Sequence, residues 1–172
     1  MSSNLFWVTG SAIPAGDTLA RKKAQVDFQA LISPPATDQP EHPRVEVKQG
    51  VLRINSKQER IAPLRIVTPS GRENYYVKLV DISTGASIVS FFIFGGESFE
   101  TKVPLGTFAI KYATGEIWYG EKYLFGKNTQ YSEADKTFEF AVNGSQISGY
   151  TVKLVRQLHG NLQTKSISAA QF

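Results

Sequence analysis

The chain has 172 residues, of which 41% are hydrophobic and 12% aromatic, a composition that predicts one globular domain and not a disordered chain. It contains no cysteine, which excludes disulfides, iron–sulfur clusters, cysteine-ligated zinc and a cysteine nucleophile. The net charge is +4, but the basic residues are spread along the chain, so the sequence does not favour nucleic acid as a partner.

Neither a membrane span nor a signal peptide is indicated. A membrane-spanning helix needs about 20 consecutive apolar residues, and no run of this chain approaches that length. Residues 1–8 lack the charged and apolar regions of a signal peptide. We therefore expect a protein that is cytoplasmic at synthesis and has no membrane partner.

Residues 1–43 predict an N-terminal arm that precedes the main domain. A short apolar hook contains Trp7, and Asp17 stands where the N-cap of a helix would lie. Apolar side chains then recur every three or four residues as far as Ile32, which predicts one amphipathic helix with Phe28 on its apolar face. Four prolines within residues 33–43 end this helix and predict an extended linker.

From residue 44 onward the pattern is almost purely β. Short alternating segments separated by Gly, Pro, Asn and Asp predict about seven or eight strands, without helical periodicity between them. This pattern predicts an all-β fold, an antiparallel β-sandwich (prealbumin/Ig-like) that spans residues 44–172. The predicted strands are 62–68, 74–82, 88–94, 99–103, 108–112, 137–142, 150–158 and 162–167, with a weaker pair at 44–48 and 51–54.

The centre of this pattern is the stretch from Phe99 to Tyr112. Two alternating segments meet at Pro104-Leu105-Gly106, which predicts two half-buried strands joined by a tight connection. The strand before it, 88–94, is apolar on both faces and is therefore expected to be a central strand covered on both sides. The strand after it, 137–142, is expected to point Phe138, Phe140 and Val142 inward.

Two runs of sequence carry a resemblance to known β-sandwiches. Asn74 to Gly85 places a strand before an Asp/Thr-Gly turn, and Val103-Pro-Leu-Gly-Thr-Phe108 forms a proline-glycine-aromatic corner. In this order the chain resembles transthyretin-like and carboxypeptidase-regulatory-like domains. Residues 63–172 also resemble a group of small uncharacterised bacterial proteins. The resemblance implies a sandwich architecture and no particular activity, because such sandwiches serve many roles.

Catalytic chemistry finds little support. The two histidines lie in the predicted linker and in a predicted turn, and no nucleophile elbow accompanies them. Four carboxylates flank the aromatic segment, but their spacing indicates solvated side chains and neither a glycosidase pair nor a calcium site. We therefore expect no enzyme, no metal and no cofactor. The residues considered are His42, His159, Glu116, Glu121, Glu133 and Asp135.

The aromatic segment, residues 116–131, has no clean period and two interpretations stay open. Its aromatic side chains either plug an open end of the sandwich or form an exposed platform that stacks on a ligand or another protein. A mixture, with Trp118 buried and Tyr119 or Tyr123 exposed, is a third arrangement. The candidate interaction residues are Trp118, Tyr119, Tyr123 and Phe125, with Trp7 and Phe28 of the arm.

Together these features favour a non-enzymatic structural protein. The arm and the aromatic segment are expected to dock the domain onto copies of itself or other protein subunits, in a homo-oligomer, a virion or another large assembly. The alternative is a binding module that holds a carbohydrate or another small ligand at the aromatic segment.

Overall fold

A computed structural model describes residues 42–154 and 164–172 of the chain. The predicted arm, including Trp7 and Phe28, lies outside the described residues, as does His159. The two helical elements of the described part are single 3-10 turns, Gly126–Asn128 and Ala169–Gln171. The strands are β1 Gly50–Ile54, β2 Ala62–Val67, β3 Asn74–Asp81, β4 Ser87–Ile93, β5 Ser98–Val103, β6 Gly106–Gly115, β7 Gln130–Phe140, β8 Val142–Asn143, β9 Gln146–Ile147, β10 Tyr150–Lys153 and β11 Thr164–Ser166.

These strands confirm the all-β prediction. The larger sheet has six strands in the order β1-β4-β3-β6-β7-β11, and all its neighbouring strands are antiparallel. The smaller sheet has the order β10-β2-β5. Within it β5 is antiparallel to β2, whereas β10 is parallel to β2, so the described sheets are antiparallel except at this pair. In the described part, β8 and β9 form a separate hairpin.

Side chains of both sheets contribute to one hydrophobic cluster. Every second residue of β3, β4 and β6 faces it, as do the alternating buried residues of β2. Period-two alternation therefore predicted which side chains are inward here, including Tyr75, Val77 and Leu79. The fully buried members with the largest side chains include Leu64, Ile66, Leu79, Phe91, Ile93, Phe108, Ile110 and Phe140.

The prediction that the strand at residues 88–94 is covered on both faces is confirmed. In β4, Phe91 belongs to the cluster shared by the two sheets, while its neighbour Phe92 belongs to a second cluster with Tyr76 and Ala113. Because adjacent strand residues point to opposite faces, this second cluster lies on the other face of the six-stranded sheet. We call that face the outer face.

The central stretch joins the two sheets. Its first strand, β5, pairs with β2 of the smaller sheet, and its second strand, β6, pairs with β3 and β7 of the larger sheet. The Pro104-Leu105-Gly106 connection thus carries the chain from one sheet to the other. Gly106 has a φ of +143°, a conformation that residues with a Cβ rarely adopt.

Two local predictions are wrong. Val142 does not point inward; β7 ends at Phe140, and Val142 begins the β8–β9 hairpin, where it is exposed. Residues 44–48 do not form a strand beside 51–54. Instead β1 is an edge strand on β4, and Val45 N–H donates to the Trp118 carbonyl at 2.9 Å.

Candidate functional site

The loop between β6 and β7, residues 116–129, is here called the aromatic loop. Its bend is closed by two hydrogen bonds of 2.7 Å, from Tyr119 N–H to the Leu124 carbonyl and from Leu124 N–H to the Gly120 carbonyl. Gly120 and Leu124 both have positive φ, and Leu124 (φ 49°) is the one described residue other than glycine to do so. A leucine in this conformation is strained, so packing must hold it there.

That packing is the second hydrophobic cluster. Trp118 and Phe125 are only 4% and 3% exposed, and their rings lie 5.3 Å apart between centroids. Trp118 also contacts Phe92 edge-on at 5.1 Å and Tyr76 at 5.3 Å. The aromatic loop therefore covers part of the outer face of the six-stranded sheet. Of the open interpretations, this arrangement matches the mixture of buried and exposed aromatic residues.

A polar contact fixes the loop to the sheet. Glu121 accepts hydrogen bonds from Tyr76 Oη at 3.0 Å and Ser90 Oγ at 3.5 Å, and its other carboxylate oxygen lies 2.6 Å from Arg53 Nη2. Burial raises the pKa of Tyr76 to about 12, because desolvation disfavours the phenolate, and the Glu121 carboxylate adds to the rise. Glu121 thus satisfies two buried hydroxyl groups at once.

Exposed apolar side chains gather at the end of the larger sheet where this loop lies. We call this end the aromatic end and define it by Val45, Phe94, Ile117 and Tyr123, each about two-fifths exposed. Phe94 follows β4, while Ile117 and Tyr123 belong to the aromatic loop. Register brings them together, because β3 begins and β4 and β6 end at this same end of the sheet.

A cleft of about 750 Å³ opens at the aromatic end. Phe92, Phe94 and Trp118 line it from the sheet and the loop, and the segment 44–48 lines its other side. Arg44, Lys48, Glu46 and Glu116 add both signs of charge to the lining. This combination of aromatic and mixed polar groups is typical of surfaces that bind another molecule.

His42, at the start of the described residues, contacts the aromatic loop. Its ring stacks on Tyr123, with centroids 3.6 Å apart and planes 15° apart, and meets Tyr119 edge-on at 6.1 Å. Lys122 Nζ lies 4.9 Å from the centre of the same Tyr123 ring. His42 is therefore held at the aromatic end by its contact with Tyr123.

The predicted site residues thus separate into three groups. Trp118 and Phe125 are buried, Tyr119 is half-buried and Tyr123 is exposed. Trp7 and Phe28 lie outside the described residues. Sequence reasoning missed Phe94 and Ile117, although both are large apolar residues within two positions of a strand end, where polar turn residues are usual.

Residues 42–154 and 164–172 contain no group of three or more metal-ligating side chains, and no helix among them is long and apolar enough to cross a membrane. Comparisons with protein-family models, curated proteins and solved structures find no match to the chain. The transthyretin-like resemblance remains a prediction.

Proposed function

We propose that this chain is a non-enzymatic assembly protein whose aromatic end is a contact surface between subunits. The observation that supports this most is that the exposed side chains of Phe94 and Val45 line the same cleft as Trp118. Aromatic and aliphatic side chains of this kind, rimmed by charges, dominate the energetics of protein–protein interfaces. The partners are copies of this chain or other protein subunits.

The proposed architecture is a transthyretin-like β-sandwich. The single hydrophobic cluster shared by β2, β5 and β10 with the six-stranded sheet supports this arrangement. The aromatic loop then covers one outer face of the sandwich and leaves the aromatic end as its exposed edge. In this proposal the sandwich is a scaffold that presents the surface.

The N-terminal arm, residues 1–43, is proposed to add to the same assembly. Its sequence has an apolar hook with Trp7 and an amphipathic helix with Phe28, and such a helix must bury its apolar face on another surface. The arm leads into the domain at His42, which already contacts Tyr123 of the aromatic end. A virion or another repetitive assembly is the setting that we propose.

The test is the molar mass of the full chain in solution, measured by light scattering after size-exclusion chromatography. Phe94→Ser is compared with Ile82→Ser, because Ile82 is even more exposed (53%) but lies at the opposite end of the sheet. We expect an oligomer for the wild type and Ile82→Ser, and a lower mass for Phe94→Ser. A monomeric wild type, or equal effects of the two substitutions, would contradict the proposal.

The second candidate function is a small-ligand or carbohydrate-binding module. The cleft volume favours it, because small-molecule sites commonly measure about 300–1,000 Å³ and stack ligands on aromatic rings. Trp118 lines the cleft, so ligand entry should change tryptophan emission. A titration with a panel of glycans and metabolites tests this function, and an unchanged emission with every compound would count against it.

A further inference from the structure

Two lysines lie side by side in the middle of the outer face. Lys78 in β3 and Lys111 in β6 are directly paired residues of neighbouring strands. Each interrupts an apolar run, Tyr-Tyr-Val-Lys-Leu-Val in β3 and Phe-Ala-Ile-Lys-Tyr-Ala in β6. Like charges directly opposite each other destabilise a sheet. A nearby electron-rich group is therefore needed to stabilise this pair of ammonium groups.

The C-terminal segment supplies that partner. Lys78 Nζ donates to the main-chain oxygen of Phe172 at 3.3 Å, and Lys111 Nζ donates to the main-chain oxygen of Gln171. Lys78 Nζ also lies 4.0 Å from the centre of the Phe172 ring, within the range of a cation–π contact. The two cations therefore hold two consecutive residues, Lys111 holding Gln171 and Lys78 holding Phe172.

The Phe172 ring is packed between aromatic side chains of the sheet. It packs against Tyr131 with centroids 5.1 Å apart and against Tyr76 edge-on at 6.1 Å, and it joins the second hydrophobic cluster. The 3-10 turn Ala169–Gln171 directly precedes Phe172. A capping box stabilises this turn, in which Ser168 and Gln171 hydrogen-bond each other. Two tyrosine rings and the Lys78 ammonium thus surround the Phe172 ring.

The carboxylates on either side of the lysine pair have cations of their own. Glu121 is 2.6 Å from Arg53, and Glu133 is 3.3 Å from Lys165. Burial and the neighbouring Lys111 lower the pKa of Lys78, which indicates that the Lys78 ammonium is poorly solvated. Glu133 is also the register partner of Lys111 in β7, but the hydrogen bonds of both ammonium groups go to the segment that lies on them.

We propose that Lys78, Lys111, Tyr76 and Tyr131 form a binding site for a peptide segment that carries an aromatic side chain next to main-chain carbonyl oxygens. Gln171 and Phe172 are its internal occupant, and a second peptide of the same chemistry competes with them. The geometry supports this: the cations hold main-chain oxygens, which any peptide offers, while the tyrosines select an aromatic ring. This site adjoins the proposed contact surface through Tyr76, whose ring packs against Trp118, but none of its four residues lines the cleft at the aromatic end.

The test is a titration of the full chain with the peptide Ser-Ala-Ala-Gln-Phe, labelled at its amino end and followed by fluorescence anisotropy. In the variant Phe172→Ala the internal occupant has lost its ring, so we expect the peptide to bind at least about tenfold more tightly than to the wild type. Combining Phe172→Ala with either Lys78→Met or Lys111→Met should abolish this peptide binding. Adding Lys165→Met should retain it, because Lys165 is a lysine of the same sheet that pairs with Glu133.

Two further peptides identify the chemistry that is recognised. A peptide that ends in alanine should not bind, because the tyrosines then have no ring to hold. An amidated Phe peptide should still bind, because its carbonyl oxygens remain, and loss of its binding would count against a site for main-chain carbonyl oxygens. If Phe172→Ala fails to fold, the wild-type titration still decides, because it should show weaker saturable binding that Lys78→Met removes. Absence of peptide binding, or binding that both Lys→Met substitutions leave unchanged, would overturn the proposal.

Discussion

The Glu121 carboxylate lies 2.6 Å from the Arg53 guanidinium, so the aromatic loop is tied to β1, the edge strand of the six-stranded sheet. The other oxygen of the same carboxylate accepts from Tyr76 and Ser90, which are buried in β3 and β4. One loop residue thus contacts three neighbouring strands. This contact positions the loop, and with it Ile117 and Tyr123 of the aromatic end.

We expect Glu121→Ala to loosen the aromatic loop. Removing the carboxylate takes away the acceptor that two buried hydroxyl groups share, which costs about 1–3 kcal/mol of unfolding free energy. Trp118 emission should shift to longer wavelength as its environment becomes wetter. Chemical denaturation followed by tryptophan fluorescence measures both effects.

The matched control is Glu100→Ala, which removes a 3.3 Å ion pair with Arg65 whose two side chains are each about half exposed or more. Surface pairs of this kind contribute about 0–1 kcal/mol. Equal destabilisation by the two substitutions would contradict the role assigned to Glu121.

Gly115 is the contact point between β6 and the loop. A Cβ at Gly115 would overlap the Cβ of Phe125, whereas a Cβ at Gly71 would meet open space. We expect Gly115→Ala to destabilise the fold by about 1–3 kcal/mol through overpacking, and Gly71→Ala to have no such cost. Thermal unfolding of both variants checks this, and an unchanged Gly115→Ala midpoint would show that Phe125 does not pack there.

Tyr76 should make the fold sensitive to strongly alkaline pH. Burial raises its pKa from 10.0 to about 12, so between these values the folded chain keeps a proton that the unfolded chain has lost. Stability from this residue is therefore full below pH 10 and is lost as the pH rises through 12. The loss amounts to roughly 2–3 kcal/mol. Denaturation curves across this range should fall more steeply for the wild type than for Tyr76→Phe; parallel curves would be inconsistent with a buried phenol.

The arm makes a separate prediction. Phe28→Asp places a charge on the apolar face of its predicted helix and should weaken assembly at least about tenfold, since burying a phenylalanine contributes about 1.5–3 kcal/mol. Gln29→Asp makes a similar polar change on the neighbouring face and is the control. Sedimentation velocity over a range of concentrations measures the effect. A mass distribution unchanged by Phe28→Asp would remove the arm from the proposed assembly.

Period-two alternation predicted most strands of the described part, because a strand that buries one face has apolar residues at every second position. It also predicted that β4 is covered on both sides. The pairing of strands was harder: β5 and β6 are adjacent in the chain but belong to different sheets, and β10 is parallel to β2. Alternation records which face of a strand is buried and not which neighbour it pairs with.

The site was predicted only in part, for a related reason. The aromatic composition of residues 116–131 indicated a surface or a plug, but the burial of Trp118 and Phe125 depends on Phe92 and Tyr76, which lie on other strands. Lys78 and Lys111 carried a readable signal, because a lysine inside an apolar strand needs a partner. That Gln171 and Phe172 supply the partner depends on tertiary structure.

The central claim, that the aromatic end is a contact between subunits, is tested most directly by thiol protection. The chain has no cysteine, so Ile117→Cys and Ile82→Cys each introduce a single thiol, one at each end of the sheet. Maleimide labelling rates are measured in dilute and in concentrated protein. The account predicts that labelling at position 117 slows several-fold on concentration, while labelling at position 82 does not. Equal rates at 117 in dilute and concentrated protein, or protection at 82 instead, would contradict it.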